Sequence, residues 1–227
     1  MREYGNFLRK IFTKVDRVPL DVVRRYQDFY SALICDVLGK HQVMHVDLTP
    51  LSPGMRFCGP AVTSLGPDLT VRRMAIDLAE PGDVLVVAAG GVRDYACFGD
   101  GTAQRMMTKS LAGAVIDGCV RDAAGIRRLG FPTFCRGVTP RNYHYPAAGD
   151  HGAVNVPVVC GDVLVEPGDL VFGDDDGVVV VPGAMAAEVA DEVADRLSAE
   201  RAQRGSWTDY PPFAVEEELV RRGYDVQ

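Results

Sequence analysis

The apolar positions of this chain repeat first at helical and then at strand spacing. Val22, Val23, Tyr26, Tyr30, Leu33, Ile34 and Val37 recur at three- and four-residue steps, which predicts a helix over 19–40 that Pro19 opens and Gly39 stops. Residues 1–18 lack such a pattern and read as a loosely attached leader. Residues 55–65 (MRFCGPAVTSL) read as a strand between Pro53-Gly54 and Gly66-Pro67. A short helix is expected over 70–79, with Thr70 as its cap. Pro81-Gly82-Asp83 then turns into VLVVAA (84–89), an unbroken apolar run typical of a strand buried on both faces, which Gly90-Gly91 ends.

The alternation repeats. A helix over 100–112 is closed by Gly113, the buried strand AVID (114–117) ends at Gly118, and a helix over 122–129 leads to a strand over 132–136. Apolar strands separated by helices imply right-handed crossovers and a mostly parallel central sheet, an α/β fold. From 150 onward short Val-rich strands alternate with Gly-Asp and Pro-Gly turns, so the C-terminal half is β-rich. A long C-terminal helix is expected over about 183–204, with Met185, Val189, Val193 and Leu197 on its buried face. Residues 19–204 are read as one domain, and the aromatic tail 205–227 (Trp207, Tyr210, Phe213) as packing on a neighbouring subunit.

Composition narrows the partners. Of 227 residues, 24 are Lys or Arg and 31 Asp or Glu, a net charge of −7, and no basic block occurs, so a nucleic-acid backbone is a poor partner. No uncharged apolar run approaches the roughly 18–20 residues of a membrane-spanning helix. The charged N-terminus, MREYGNFLRKIFTKVDR, does not hold the apolar segment of a secretory signal. Six scattered cysteines form no CxxC pair and read as reduced, mostly buried thiols of a cytoplasmic protein. His41, His45, His144 and His151 lack the close spacing of a helical metal motif.

The candidate chemistry lies in 90–136. Asp100 follows Gly99 at a predicted helix start, where the N–H groups of Gly101, Thr102 and Ala103 could seat an anion. The plainer reading is that Asp100 caps the helix. Arg121-Asp122 follows a buried strand, at the kind of strand end where ligands of open α/β sheets bind. Arginine can grip a carboxylate through two parallel hydrogen bonds, and aspartate can hold a hard divalent cation that keeps several waters. The plainer reading there is an ion pair, with Asp122 capping the next helix. One helix, a turn and one strand separate the two features, so the strand end can return beside the helix start.

The Asp-x20-Arg-Asp spacing resembles that of the class II, metal-dependent 4-hydroxy-4-methyl-2-oxoglutarate/4-carboxy-4-hydroxy-2-oxoadipate aldolases, whose family includes the RraA-like proteins. The likeness extends over about residues 30–200, through PGMRFCGPAVT, EPGDVLVV, FGDGTAQ, LAGAVIDGCVRD, GFPTFCRG and GAVNVPVVCGDVLVEPGDLVFGDDDGVVVVP. The resemblance implies an RraA-like three-layer fold with a swivelling ββα-type core, assembled as homotrimers or homohexamers with sites at subunit clefts. It implies Mg2+ or Mn2+ held by Asp122 largely through waters, with Asp100 behind it. It gives Arg121 the carboxylate and keto oxygen of a pyruvoyl group, and gives the backbone at Gly99, Gly101, Thr102 and Ala103 the same carboxylate. The aldolases also take an acidic residue from a neighbouring subunit, for which Glu192 and Glu200 are candidates. The regulatory RraA branch lacks the acid at the Asp100 position, so its presence favours an enzyme.

The implied reaction is retro-aldol cleavage of a 4-hydroxy-2-oxo acid to pyruvate, with oxaloacetate decarboxylation as a side activity through the same enolate. No lysine suits Schiff-base chemistry, since Lys109 is mid-helix and Lys10, Lys14 and Lys40 lie outside the candidate site. Two alternatives stand beside it: a protein-binding regulator of a ribonuclease, and a dehydratase or other lyase on a related 2-oxo acid. Arg93-Asp94 could read the distal end of a substrate, or be a surface ion pair. The loop with Arg141, His144 and His151 could cover the cleft. Asp174-Asp175-Asp176 reads as a solvated turn, and Met106-Met107 as helix packing.

Overall fold

The computed structural model describes residues 9–66, 68–143, 152–207 and 212–226. The predicted first helix is broken in two. Helix α1 (Leu20–Arg25) runs through a 3-10 turn at Tyr26–Asp28 into two extended residues, and helix α2 (Ser31–Val37) starts afresh. The restart has a remote cause. The Asp174 carboxylate accepts from the Ser31 backbone N–H at 2.8 Å and from its hydroxyl at 2.6 Å, capping α2 from across the fold.

After the short β1 (Thr49–Pro50), strand β2 (Phe57–Leu65) leads to helix α3 (Leu69–Leu78). Its cap is Asp68, which accepts from the N–H groups of Thr70 and Val71, and not Thr70 itself. Strand β3 (Val84–Phe98) is far longer than predicted. Gly90 and Gly91, at φ 70° and 72°, bend the strand without ending it, and the register against its neighbour shifts between Val87 and Val92. Helix α4 (Asp100–Thr108) stops before the predicted end, and Gly113 opens strand β4 (Gly113–Val120), which runs on through Gly118. Helix α5 (Ala123–Leu129) ends on a left-handed Gly130 and feeds strand β5 (Thr133–Val138). Strands β6 (Ala153–Val154), β7 (Val158–Cys160), β8 (Val163–Val165), β9 (Leu170–Asp174) and β10 (Gly177–Val181) make up the β-rich half. Helix α6 (Ala186–Gly205) and the short α7 (Glu216–Arg221) close the chain.

The main sheet has the order β1-β5-β4-β3-β2-β9-β10, with β6 beside β2. Strands β2 to β5 are parallel, as the strand–helix alternation predicts, and β1, β9 and β10 are antiparallel to their neighbours. One apolar cluster fills the parallel part (Val62, Leu85, Ile116, Phe134 and others), and a second packs the 3-10 turn, α2 and α6 on β9 and β10 through Tyr26, Ile34, Phe172 and Val193. Val189, Val193 and Leu197 of α6 are buried as expected, but Met185 is 45% exposed. Met106 is buried and Met107 is 41% exposed, so only the first is core.

Residues 9–18 are held more firmly than a loose leader. Arg9 and Phe12 donate backbone bonds to Gly152 and Val154. Arg17 grips the buried Asp83 through Nε at 2.9 Å and Nη2 at 2.9 Å, and reaches Glu80 at 3.0 Å. At the other end Trp207 and Phe213 are exposed, 51% and 84%, and Tyr210 lies outside the described residues. Among the described residues no helix is long and apolar enough to cross a membrane.

Candidate active site

Parallel pairing of β3 and β4 places their last residues, Phe98 and Val120, side by side. The Arg121 N–H donates to the Phe98 carbonyl at 2.8 Å, so Gly99-Asp100 and Arg121-Asp122 leave the sheet as neighbours. The carboxyl ends of parallel strands are where helix N-termini and loops leave room for a ligand.

Two glycines allow the close approach. A Cβ at Gly99 would stand 2.8 Å from Asp122 Oδ2 and 3.3 Å from Arg121 Cγ. A Cβ at Gly125 would stand 2.8 Å from the Asp100 Cβ and 2.9 Å from its Cγ. The Asp100 side chain therefore lies over the first turn of α5, and the Asp122 carboxylate lies against the start of α4.

Neither aspartate caps a helix. Gly99 holds the N-cap position of α4 and Asp100 is its first helical residue. Asp122 precedes α5 in the left-handed conformation, φ 55° and ψ 35°, which aspartate tolerates better than most residues, and its side chain makes no cap bond. Its carboxylate turns instead to Arg121, with Nε to Oδ2 at 3.2 Å, both side chains about two-fifths exposed. The ion-pair reading holds and the capping reading does not.

The backbone seat is narrower than 101–103. The N–H groups of Thr102 and Ala103 both donate to the Gly99 carbonyl, at 3.0 and 3.1 Å. The N–H groups of Asp100 and Gly101 have no protein acceptor among the described residues, and they are the pair open to an anion at this helix start. Gly101 and Thr102 still line the cleft, and Ala103 is buried beneath it.

The cleft above these groups has a volume of about 210 Å3. Four arginines line it, Arg72, Arg73, Arg105 and Arg121, against two carboxylates, Asp100 and Asp122. Asn142 reaches it from the segment that bridges to Ala96. Leu69, Arg72 and Arg73 share one face of α3; Gly101, Thr102 and Arg105 share one face of α4. Arg72 is buried. Burial pushes the neighbouring Cys97 thiol up to about 11, with the Arg72 charge pulling the other way. Sequence reasoning missed Arg72, Arg73, Arg105, Asn142 and Gly125. The adjacent arginines at 72–73 follow the end of a parallel strand, and that was the available signal.

The carboxylates fit a hard divalent cation. The Asp100 carboxylate makes no hydrogen bond or ion pair with a described residue, and no group of three His, Cys, Asp or Glu side chains gathers among the described residues. Two carboxylates on an open cleft suit Mg2+ or Mn2+, which keep several waters, better than zinc, which wants three or four protein ligands.

The other candidates lie elsewhere. Arg93 pairs with Asp47, and neither Arg93 nor Asp94 is among the residues lining the cleft. Asp174 caps α2, and Asp175 accepts from the Gly54 N–H at 2.7 Å, so the acidic turn is structural. Glu192 pairs with Arg196 within α6; Glu200 pairs with Arg204 and accepts from the Tyr30 hydroxyl. Arg141 gives its carbonyl to the Ala96 N–H; His144 and His151 lie outside the described residues. All six cysteines are free thiols, four of them buried.

Residues 31–180 match the family described as RraA-like, Aldolase/RraA. A relative in Halalkalibacterium halodurans, provisionally named 4-hydroxy-4-methyl-2-oxoglutarate aldolase, is 31% identical over 198 residues, covering 86% of this chain and 92% of the relative. A relative of the same provisional name in Burkholderia multivorans is 34% identical over 159 residues, covering 67% of this chain and 95% of its own. The crystal structure of Streptomyces coelicolor RraAS2, described as an unusual member of the RNase ES inhibitor RraA protein family, is similar with a TM-score of 0.74 and 36% identity. It covers 84% of this chain and 99% of its own.

Proposed function

This chain belongs to the Aldolase/RraA family, and from that premise we propose that it is a divalent-metal-dependent lyase that cleaves 4-hydroxy-2-oxo acids to pyruvate, with oxaloacetate decarboxylation as a side activity. The observation that carries the reading is the convergence of Asp100, Arg121 and Asp122 at two adjacent strand ends. Names of relatives in two organisms point to the same chemistry.

In this reading Asp122 holds Mg2+ or Mn2+, with Asp100 behind it and waters completing the shell. The cation, when bound, supplies positive charge against the oxyanion that develops on the keto oxygen. Arg121 binds the substrate carboxylate and that keto oxygen through its fork of N–H donors. The N–H groups of Asp100 and Gly101 hold the same carboxylate against the start of α4. When the C3–C4 bond breaks, its electron pair moves into the pyruvoyl unit and charge grows on the keto oxygen. Arg121 therefore binds the transition state more strongly than the ground state, which is what accelerates the step. Asp100, with no partner of its own, would orient a water that takes the proton from the C4 hydroxyl and passes one of its own to the Asp100 carboxylate. Assembly as a homotrimer or homohexamer in the cytoplasm, with the cleft closed by a neighbouring subunit, completes the reading.

The test is pyruvate release from oxaloacetate and from a 4-hydroxy-2-oxo acid, with Mg2+ or Mn2+ and with EDTA. Turnover that EDTA abolishes is expected; no metal-dependent release from any 2-oxo acid would sink the proposal. A second reading, a protein-binding regulator of a ribonuclease, draws on the likeness to RraAS2. Asp100 speaks against it, and inhibition of a ribonuclease by the purified chain without any lyase activity would favour it.

A further inference from the structure

The cleft has more positive charge than binding one 2-oxo acid group requires. The chain as a whole carries a net charge of −7, yet Arg73, Arg105 and Arg121 line this cleft against two aspartates, besides the buried Arg72, which has interactions of its own. Arg121 accounts for one pole, beside Asp122. Arg73 and Arg105 come from other elements. They reach the cleft from different helices, α3 and α4; both are exposed, and neither forms an ion pair with a described residue. Arg105 shares its helix face with Gly101 and Thr102, one turn further from the helix start. Anything held at the start of α4 and extending along that face meets Arg105 next.

Clustered like charges repel, and an acidic protein has carboxylates enough to neutralise them locally. Here none of the described carboxylates does so for Arg73 or Arg105, which leaves their donors for an anion from outside. We infer that Arg73 and Arg105 form a second anion subsite at the mouth of the cleft, which takes an acid group of the substrate remote from its 2-oxo acid end. This rests on the lyase reading for the orientation of the substrate, but the subsite itself is a matter of binding. Arg73 and Arg105 are then specificity-determining: a substrate with acid groups at both ends spans from Arg121 to this pair, and one with an apolar distal end leaves the pair unmatched.

The experiment compares two five-carbon probes that differ only at the distal end, 2-oxoglutarate and 2-oxopentanoate. Their binding to the full-length protein in saturating Mg2+ is measured by calorimetry. The wild type is expected to prefer 2-oxoglutarate by about tenfold or more, the scale of one charge-assisted contact. The double variant Arg73→Gln/Arg105→Gln should bind both probes alike, with its affinity for 2-oxopentanoate within about twofold of wild type. Arg105→Lys should keep part of the preference, because the charge survives while the fork is lost. The preference should also shrink in about 1 M salt, where the Debye length is about 3 Å. Both arginines are exposed, so the variants should melt as the wild type does, and melting curves check this. A wild type that binds the two probes equally or binds neither, or a double variant that keeps the wild-type preference, overturns the subsite. A preference that is present in a protein releasing no pyruvate supports the subsite and defeats the lyase reading instead, so the two failures are separable.

Discussion

At position 125, the Asp100 carboxylate lies where any other residue would place its Cβ. Gly125 is helical and buried, where the helix preference for alanine, about 1 kcal/mol at exposed sites, counts only if the added methyl fits. Gly125→Ala therefore sets a gain in helix stability against a contact that must give way. The contact at 2.8 Å is with the Asp100 Cβ, which moves only with the backbone of α4, so the start of that helix must shift. The expected result is a melting temperature lowered by several degrees and a fall of about 10²-fold in pyruvate release, the cost of a roughly 1 Å misplacement. A variant that loses stability but keeps its activity would show that Asp100 position is immaterial. Arg121 is a different case, because its fork cannot be reproduced by an ammonium. Arg121→Lys is expected to lower kcat/KM by about 10²–10³, the range for removing one oxyanion donor. Steady-state kinetics on oxaloacetate measures it.

At the scale of elements, long-range caps decide where helices begin. Asp174 is 143 positions from Ser31 in the chain, yet its carboxylate starts α2. Removing it leaves the Ser31 N–H without that acceptor while touching no residue of the cleft. Asp174→Ala should lower stability by about 1–2 kcal/mol in denaturant melts and leave pyruvate release unchanged. The same device explains why the helix predicted over 19–40 is two helices. Spacing of apolar residues records which face is buried, and it is blind to a cap supplied from elsewhere in the fold. Local grammar failed in a second way at Gly90-Gly91. Two glycines end most strands, but here the partner β4 continues alongside and its pairing carries β3 through the bend to Phe98. The triad Asp100, Arg121 and Asp122 was legible because adjacent parallel strands bring a helix start and the next strand end together whatever the details between. Arg72 and Arg73 were not, since they come from a third strand-helix junction that no spacing rule joins to the other two.

Across the whole molecule, proton linkage ties the buried thiols of both apolar clusters to alkaline stability. Cys97, Cys135 and Cys160 lie in the cluster over the parallel strands, and Cys58 packs against the cluster under α6. Burial pushes Cys58 up to about 12, and Cys97 and Cys135 up to about 11; it also raises Cys160, and the Tyr26 hydroxyl. Each group binds its proton more tightly in the folded chain than in the unfolded one, where a thiol ionises near 9.0. The contribution is therefore complete below about pH 9 and is lost as pH rises from there toward 11–12. One such thiol costs at most about 1.4 kcal/mol per pH unit in that window, and the thiols act in the same direction, so the loss is steep. Denaturant midpoints should be level between about pH 7 and 8.5 and fall steeply above 9. Cys58→Ala should make that fall shallower by about one proton, read from the slope of unfolding free energy against pH. A midpoint that stays level to about pH 10.5 would mean that the thiols ionise as easily inside as outside, and that the clusters are wetter than their burial indicates.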